Sequence, residues 1–251
     1  MPSQPHGGRA TVESSIRRSA ATTPSGVPRL SRSREDYLKA MFALDDGARP
    51  VTMGKLARRL GVRAPSVTNM LGTLAREQLV AYVPRSGARL TAAGRRQALA
   101  LVRSHRILET FLVRVLGFDW SEVHEDAEVL EHHISDRVLD ALDRLVGHPA
   151  EDPHGHAIPD RRGRMPRRNL AALASLTRGQ RATVREIRDR DSRRMVRWKE
   201  AGLVPGARVR VRDVKPLDDV FEIEVGGRRL VIGSEGLEGV LVQVAGESRR
   251  G

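Results

Sequence analysis

The chain contains no cysteine, which removes a disulfide framework, a Cys-ligated zinc site and a thiol nucleophile together. Aromatic residues make up only 3%, so any core must be built from Leu, Val, Ala and Ile. No apolar run approaches the ~18–20 residues of a membrane span. The N-terminus lacks the apolar core of a secretory signal. No His-Glu-x-x-His, Gly-rich phosphate loop or Gly-x-Ser-x-Gly is present, which argues against an enzyme. What is abundant is positive charge: 44 Lys+Arg against 31 Asp+Glu in 251 residues, a net +13. The expectation is a cytoplasmic protein with nucleic acid as its first partner, and with neither a membrane nor a small-molecule substrate.

The charge is segregated. Residues 119–152 hold eleven acids and two bases, a local −9, which leaves +22 on the remainder. Six of the eight histidines lie between His124 and His156. Such a block reads either as a solvated helix face or as a cation site, since carboxylates and imidazoles suit divalent first-row metals.

Residues 1–33 are rich in Ser, Thr, Pro, Gly and Arg without periodicity and read as a disordered basic arm. Ser33 is the expected N-cap of a helix carrying Tyr37, Leu38, Met41, Phe42 and Leu44 on one face, ended by Asp45-Asp46-Gly47. Thr52 caps a short helix that Gly61 stops, and Pro65 suits the first turn of the next. A hairpin turning at Pro84–Gly87 follows. Helix, short helix, glycine turn, helix and basic-tipped hairpin is the order of a winged helix-turn-helix, over residues 34–95. The helix from Ala64 then meets base edges through Arg63, Pro65, Ser66, Thr68 and Asn69, while Arg85 and Arg89 on the wing meet phosphates. A winged helix used only for protein contacts is the alternative.

Thr91 caps a helix to about Leu116, and a second helix is expected over about 122–146. Together they make a helical domain, 96–160, whose apolar side (Ile134, Val138, Leu142, Leu145) is a candidate dimer face or plain core. A basic Pro/Gly-rich linker, 161–175, leads to about five short strands in 176–246, which suggest a small SH3-like barrel. The fold class is therefore mainly α with a small β domain.

Glu128, Glu131 and His132 are spaced by three and four residues, so they share one helical face, and His124 lies one turn earlier. His105 and Glu109 repeat the four-residue spacing near an apolar stripe, where an unpaired charge is costly. Two helices bearing this pattern point to bound metal more than to chance surface pairs.

The ordered motifs resemble those of the diphtheria-toxin-repressor family of iron- and manganese-dependent repressors. They are Glu35-Asp36-Tyr37-Leu38, Ala64-Pro65-Ser66-Val67-Thr68, Leu90-Thr91-x-x-Gly94, Ser104-His105-Arg106-x-x-Glu109, Val123-His124, Glu128-x-x-Glu131-His132 and Pro153-His154-Gly155-x-x-Ile158-Pro159. The C-terminal ~70 residues are similar to the family's SH3-like domain, shared with ferrous-transport accessory proteins. The resemblance implies a primary metal site of Asp36, Glu128, Glu131 and His132. It also implies an ancillary site of His105, Glu109 and His124, with Asp191 lent by the SH3-like domain and Arg194 at a position where a ligand would stand. Iron-type members carry sulfur ligands where this chain has Asp36 and Glu128, so Mn(II) is expected, with Fe(II) second. Lys39 departs from a manganese subgroup with a second carboxylate there. The implied function is a homodimeric regulator, a repressor of metal-homeostasis genes, in which metal clamps two recognition helices at the spacing of an operator in double-stranded DNA. A winged-helix regulator answering an organic ligand, without metal dependence, is the rival.

Overall fold

The computed structural model describes residues 30–189, 191–215 and 217–246. The expected basic arm therefore lies outside the described residues up to position 29.

Helix α1 (Arg32–Leu44) starts from Ser31, earlier than the expected Ser33 cap, because the Ser31 carbonyl accepts from the Arg34 and Glu35 N–H groups. It buries Tyr37, Leu38, Ala40 and Met41. Helix α2 (Met53–Leu60) is capped by the Thr52 hydroxyl, which accepts from the Lys55 N–H, and is stopped by Gly61 at φ +65°. Helix α3 (Ala64–Arg76) has Pro65 in its first turn and buries Val67, Leu71 and Leu74. Strands β1 (Val80–Val83) and β2 (Gly87–Leu90) form the antiparallel wing, with Val51 bridged to Ala88 beside it. The Thr91 hydroxyl accepts from Gly94 N–H and starts α4 (Ala92–Arg114). A Cβ at Gly94 would lie 1.9 Å from the Leu79 carbonyl oxygen, so only glycine lets α4 pass the wing this closely.

The region expected to form one helix over about 122–146 forms two. They are α5 (Val123–Leu130) and α6 (Asp136–Leu145). Residues 131–134 make a turn, and Ser135 caps α6 by accepting from Val138 N–H. The apolar spacing continues across this break, which is why periodicity concealed it. After the break, the side chains of Glu131 and His132 are both buried.

Helix α4 is the axis of the molecule's helical half and packs against α1, α5 and α6. Leu108 and Leu112 meet Val123 and Ala127 of α5, while Ile107 meets Leu139 of α6 and Ile158. Beyond these come β3 (Ala171–Ala172), β4 (Arg181–Ile187), α7 (Ser192–Glu200), β5 (Arg208–Lys215), β6 (Val220–Val225), β7 (Arg228–Gly233), α8 (Ser234–Leu237) and β8 (Val240–Val244). The strands form one antiparallel six-stranded sheet in the order β3-β8-β4-β5-β6-β7, in which β4 to β8 are the five strands expected in 176–246 and β3 comes from the expected linker. Its core gathers Ile187, Met195, Trp198, Val211, Phe221 and Ile223.

Segment 152–157 couples this sheet to the helices. Ile187 N–H donates to the His154 carbonyl at 2.9 Å. Gly155, at φ +84°, presses against β4, where a Cβ would stand 1.9 Å from the Arg185 oxygen. No described helix is long and apolar enough to cross a membrane.

Candidate metal centre and reading helix

His132 is the residue most tightly built into the site. Its Nδ1 lies 2.6 Å from Glu35 Oε2, and its Nε2 lies 3.0 Å from Asp36 Oδ1 and 3.5 Å from Glu131 Oε1. Burial pushes this imidazole down, but Asp36 and Glu35 outweigh it and raise the group to about 9. Asp36 Oδ1 and His132 Nε2 are buried without a hydrogen bond of acceptable geometry. An imidazole oriented by a carboxylate on one nitrogen, with its other nitrogen facing further carboxylates, is the arrangement of a metal ligand with its supporting shell. Glu35 was visible in the sequence only as a neighbour of Asp36 and its orienting role was missed.

Glu128, the fourth expected primary ligand, meets Lys39 and His124. Its Oε2 takes a hydrogen bond from Lys39 Nζ at 3.0 Å and lies 3.5 Å from His124 Nε2. Asp36 and Glu131 therefore each meet His132 Nε2, and Glu128 and Glu131 share Lys39.

His105, Glu109 and His124, the expected ancillary set, do meet. Their ligand atoms all lie within 4.8 Å. His105 Nε2 is 2.9 Å from Glu109 Oε1, and His124 Nδ1 is 3.0 Å from the same oxygen. His105 Nδ1 reaches Glu131 Oε2 at 2.6 Å, so His105 ties the two sets together. Its Nδ1 also lies 3.1 Å from Lys39 Nζ, and one nitrogen cannot both donate to Glu131 and accept from Lys39. The shorter carboxylate contact makes Nδ1 the donor to Glu131, and with Nε2 facing Glu109 both ring nitrogens meet carboxylates, which favours the imidazolium. Burial lowers this group, yet Glu109 and Glu131 prevail and lift it to about 9. Glu109 is fully enclosed, which raises its carboxyl, but its histidine neighbours, His105 foremost, hold it well below the ordinary range.

A third group was not anticipated. Asp152, His154 and His156 present ligand atoms within 4.8 Å. Asp152 Oδ1 accepts from the backbone N–H groups of His154 and His156, and His156 Nδ1 lies 2.9 Å from Asp152 Oδ2. His154 Nε2 donates to the Trp120 carbonyl at 2.6 Å, which turns Nδ1 toward Glu109 at 3.5 Å. The sequence signal was Asp152-Pro153-His154-Gly155-His156, read there only as part of a family segment.

Asp191 is not among these residues. It is exposed and caps α7, its carboxylate accepting from Arg193 N–H. The SH3-like carboxylates that line the site's cavity of about 590 Å³ are Glu186 and Asp189, beside Arg188 and Met195. An irregularity in β4 between Val184 and Glu186 shifts the strand's pairing by one residue. Ile187 then enters the core while Glu186 stays at the cavity. Arg194, expected at a ligand position, pairs with Asp189 at 3.0 Å.

On the DNA side, Arg63, Pro65, Ser66, Thr68, Asn69, Arg85 and Arg89 are all exposed, on α3 and the wing. Arg63 is the residue just before α3, and Arg85 takes φ +66° at the wing tip. Thr68 Oγ1 donates back to the Ala64 carbonyl, and Arg89 Nη2 donates to the Ala48 carbonyl at 2.7 Å.

The donor set is oxygen and imidazole nitrogen throughout, which fits a hard or borderline divalent cation. Family comparison agrees with that chemistry. The iron-dependent repressor N-terminal DNA-binding domain matches residues 29–88, its metal-binding and dimerisation domain matches 91–160, and the FeoA domain matches 171–244. The chain is 32% identical to the iron-dependent repressor IdeR of Mycobacterium tuberculosis over 189 residues, 70% of this chain and 82% of that protein. It is 29% identical to IdeR of Mycobacterium leprae over 221 residues, 83% of this chain and 96% of that one. A manganese-dependent transcriptional repressor solved with manganese superposes with a TM-score of 0.79 at 34% identity, covering 84% of this chain and 99% of the other. The apo form of the manganese-activated repressor ScaR gives 0.71 at 28%, covering 83% and 99%. The chain belongs to the diphtheria-toxin-repressor family of metal-dependent, DNA-binding transcriptional repressors.

Proposed function

We propose that this chain is a non-enzymatic, cytoplasmic Mn(II)-responsive repressor of metal-homeostasis genes, with Fe(II) the second candidate effector. The observation that carries the reading is the junction of Asp36 on α1 with Glu131 and His132 in the turn after α5. A bound divalent cation supplies positive charge that draws these carboxylates and the imidazole together.

The chain's own residues do the rest. Glu35 holds the His132 ring so that Nε2 faces Asp36. Glu131 and Glu128 extend the donor set toward α4 and α5. Because Asp36 belongs to the reading domain and Glu128, Glu131 and His132 do not, closing this junction fixes α3 relative to the dimer. A ligand shifts such an equilibrium only by its differential affinity for the DNA-competent state.

The ancillary set is His105, Glu109 and His124, with Glu186 replacing Asp191 as the contribution of the SH3-like domain. Val138 and Leu145 are exposed, while Ile134 and Leu142 are partly buried against the core. Val138 and Leu145, with the exposed Val129 and Leu130, therefore supply the dimer face. On the DNA, Arg63, Pro65, Ser66, Thr68 and Asn69 meet base edges, and Arg85 meets phosphates. Arg89 braces the wing through Ala48 before it meets a phosphate.

The test compares operator binding by the wild type and Glu128→Ala after chelator stripping and Mn(II) addition. Loss of metal-activated binding in the variant supports the reading. Equal binding by both with and without metal overturns it in favour of a winged-helix regulator answering an organic ligand.

A further inference from the structure

His105, Glu128 and Glu131 converge closely enough to hold one cation, with ligand atoms within 4.8 Å. The chain already places a cation there. Lys39 Nζ lies 3.0 Å from Glu128 Oε2, 2.7 Å from each Glu131 oxygen and 3.1 Å from His105 Nδ1. The lysine side chain is 9% exposed and that of Glu131 is wholly buried. An ammonium has three donors and no acceptor. Here it spends them on the carboxylates that the proposed metal centre also needs.

We infer that Lys39 is a tethered internal cation, occupying the position of a metal ion between His105, Glu128 and Glu131 and competing with metal for the two carboxylates. The inference rests on the proposed metal centre and adds to it a control on loading. Lys39 stands three residues after Asp36 on the same helix, so α1 brings one ligand and one competitor to the same place. Without metal, the ammonium neutralises a buried carboxylate that would otherwise be unpaired, and α1 stays attached to α4 and α5. With metal, two cations share Glu128 and Glu131 and repel one another. Two properties follow. The ammonium raises the metal concentration needed to load the centre, and it keeps a further ion out of the His105–Glu128–Glu131 position.

The experiment uses the full chain stripped with chelator, titrated calorimetrically with Mn(II), with bound metal counted after desalting and the melting temperature recorded before loading. Three chains are compared: wild type, Lys39→Met and Lys39→Glu. Lys39→Met should melt lower than the wild type without metal, yet bind Mn(II) at least about tenfold more tightly, because a repelling charge has been removed at close range. A purely structural lysine would lower both. Lys39→Glu should take up one more ion per chain than the wild type. If Lys39→Met is too unstable without metal, Lys39→Gln preserves hydrogen-bond donors while removing the charge and carries the same expectation. Unchanged or weaker Mn(II) affinity in the neutral variants, or no added ion in Lys39→Glu, overturns the inference while leaving the metal centre standing. A wild type that binds no divalent metal overturns both.

Discussion

His132 Nε2 lies 3.0 Å from Asp36 Oδ1, across the boundary between the reading domain and the helical domain. The two residues are 96 positions apart, and α4 runs between them without supplying either group. Their pairing is therefore a property of domain arrangement. Asp36→Ala should leave the remaining donors on α4, α5 and the following turn intact, so metal still binds, more weakly, while operator binding no longer rises with metal. Calorimetry and fluorescence anisotropy on the same preparation separate the two effects. Metal-activated DNA binding that survives in Asp36→Ala would show that the junction is not the switch.

Glu35 acts through His132, not by holding metal itself. Its carboxylate lies 2.6 Å from Nδ1 and selects which nitrogen faces the site. Loss of such an orienting partner in metal sites costs about 10–100-fold in metal affinity. Glu35→Ala should show a loss in that range by competition with a chromophoric chelator. An unchanged affinity would place Glu35 outside the site.

Asp191 and Glu186 should behave oppositely. Asp191→Ala removes only a helix cap, costing about 0.5–2 kcal/mol of stability in denaturant titration, with metal binding unaffected. Glu186→Ala should alter metal binding at the ancillary set, because this carboxylate lines the same cavity as His105, Glu109 and His124. The reverse ranking would restore Asp191 as the ligand lent by the SH3-like domain.

The apo protein should lose stability as the solution becomes alkaline. His105 and His132 titrate near 9 in the folded chain, against about 6.5 when unfolded. A raised pKa means that their contribution is complete below about 6.5 and disappears as pH rises through about 9. Metal binding should strengthen over the same window, since the imidazole protons must leave before the ring can ligate. Melting temperatures of chelator-treated protein between these limits check the first statement. A flat profile would contradict the protonated histidines.

Asn69 and Arg85 should separate reading from holding. Asn69→Ala should cost about 1–3 kcal/mol at the cognate base pair and relax specificity there, while Arg85→Ala should weaken all sequences alike and reduce the salt slope by about one. Anisotropy across a salt series, on operator and scrambled DNA, reads both. A sequence-selective defect in Arg85→Ala would contradict the division.

The winged helix was legible because its boundaries are chemical: Thr52, Gly61, Pro65 and Thr91 each do locally what their residue types favour. The His105, Glu109 and His124 cluster was legible because four-residue spacing survives on regular helices. Three features were not. The break at 131–135 lies within an unbroken apolar period, so the reader of the sequence sees one helix. Glu186 is brought to the cavity by a strand irregularity that shifts register, which residue spacing does not reveal. Lys39 is marked in the sequence only as a departure from a subgroup's carboxylate, and its buried pairing appears once α4 and α5 surround it with Glu128, Glu131 and His105. In each case the missing information is tertiary.

The central claim, that metal at the Asp36–Glu131–His132 junction enables DNA binding, is tested most directly by one titration. Chelator-stripped protein is mixed at fixed salt with the upstream regions of its own gene and of adjacent transport genes. Mn(II), anaerobic Fe(II), Zn(II) and Mg(II) are then added separately. The account expects no specific binding without metal, strong activation by Mn(II) and none by Mg(II). Equal binding in the presence and absence of every metal would contradict it.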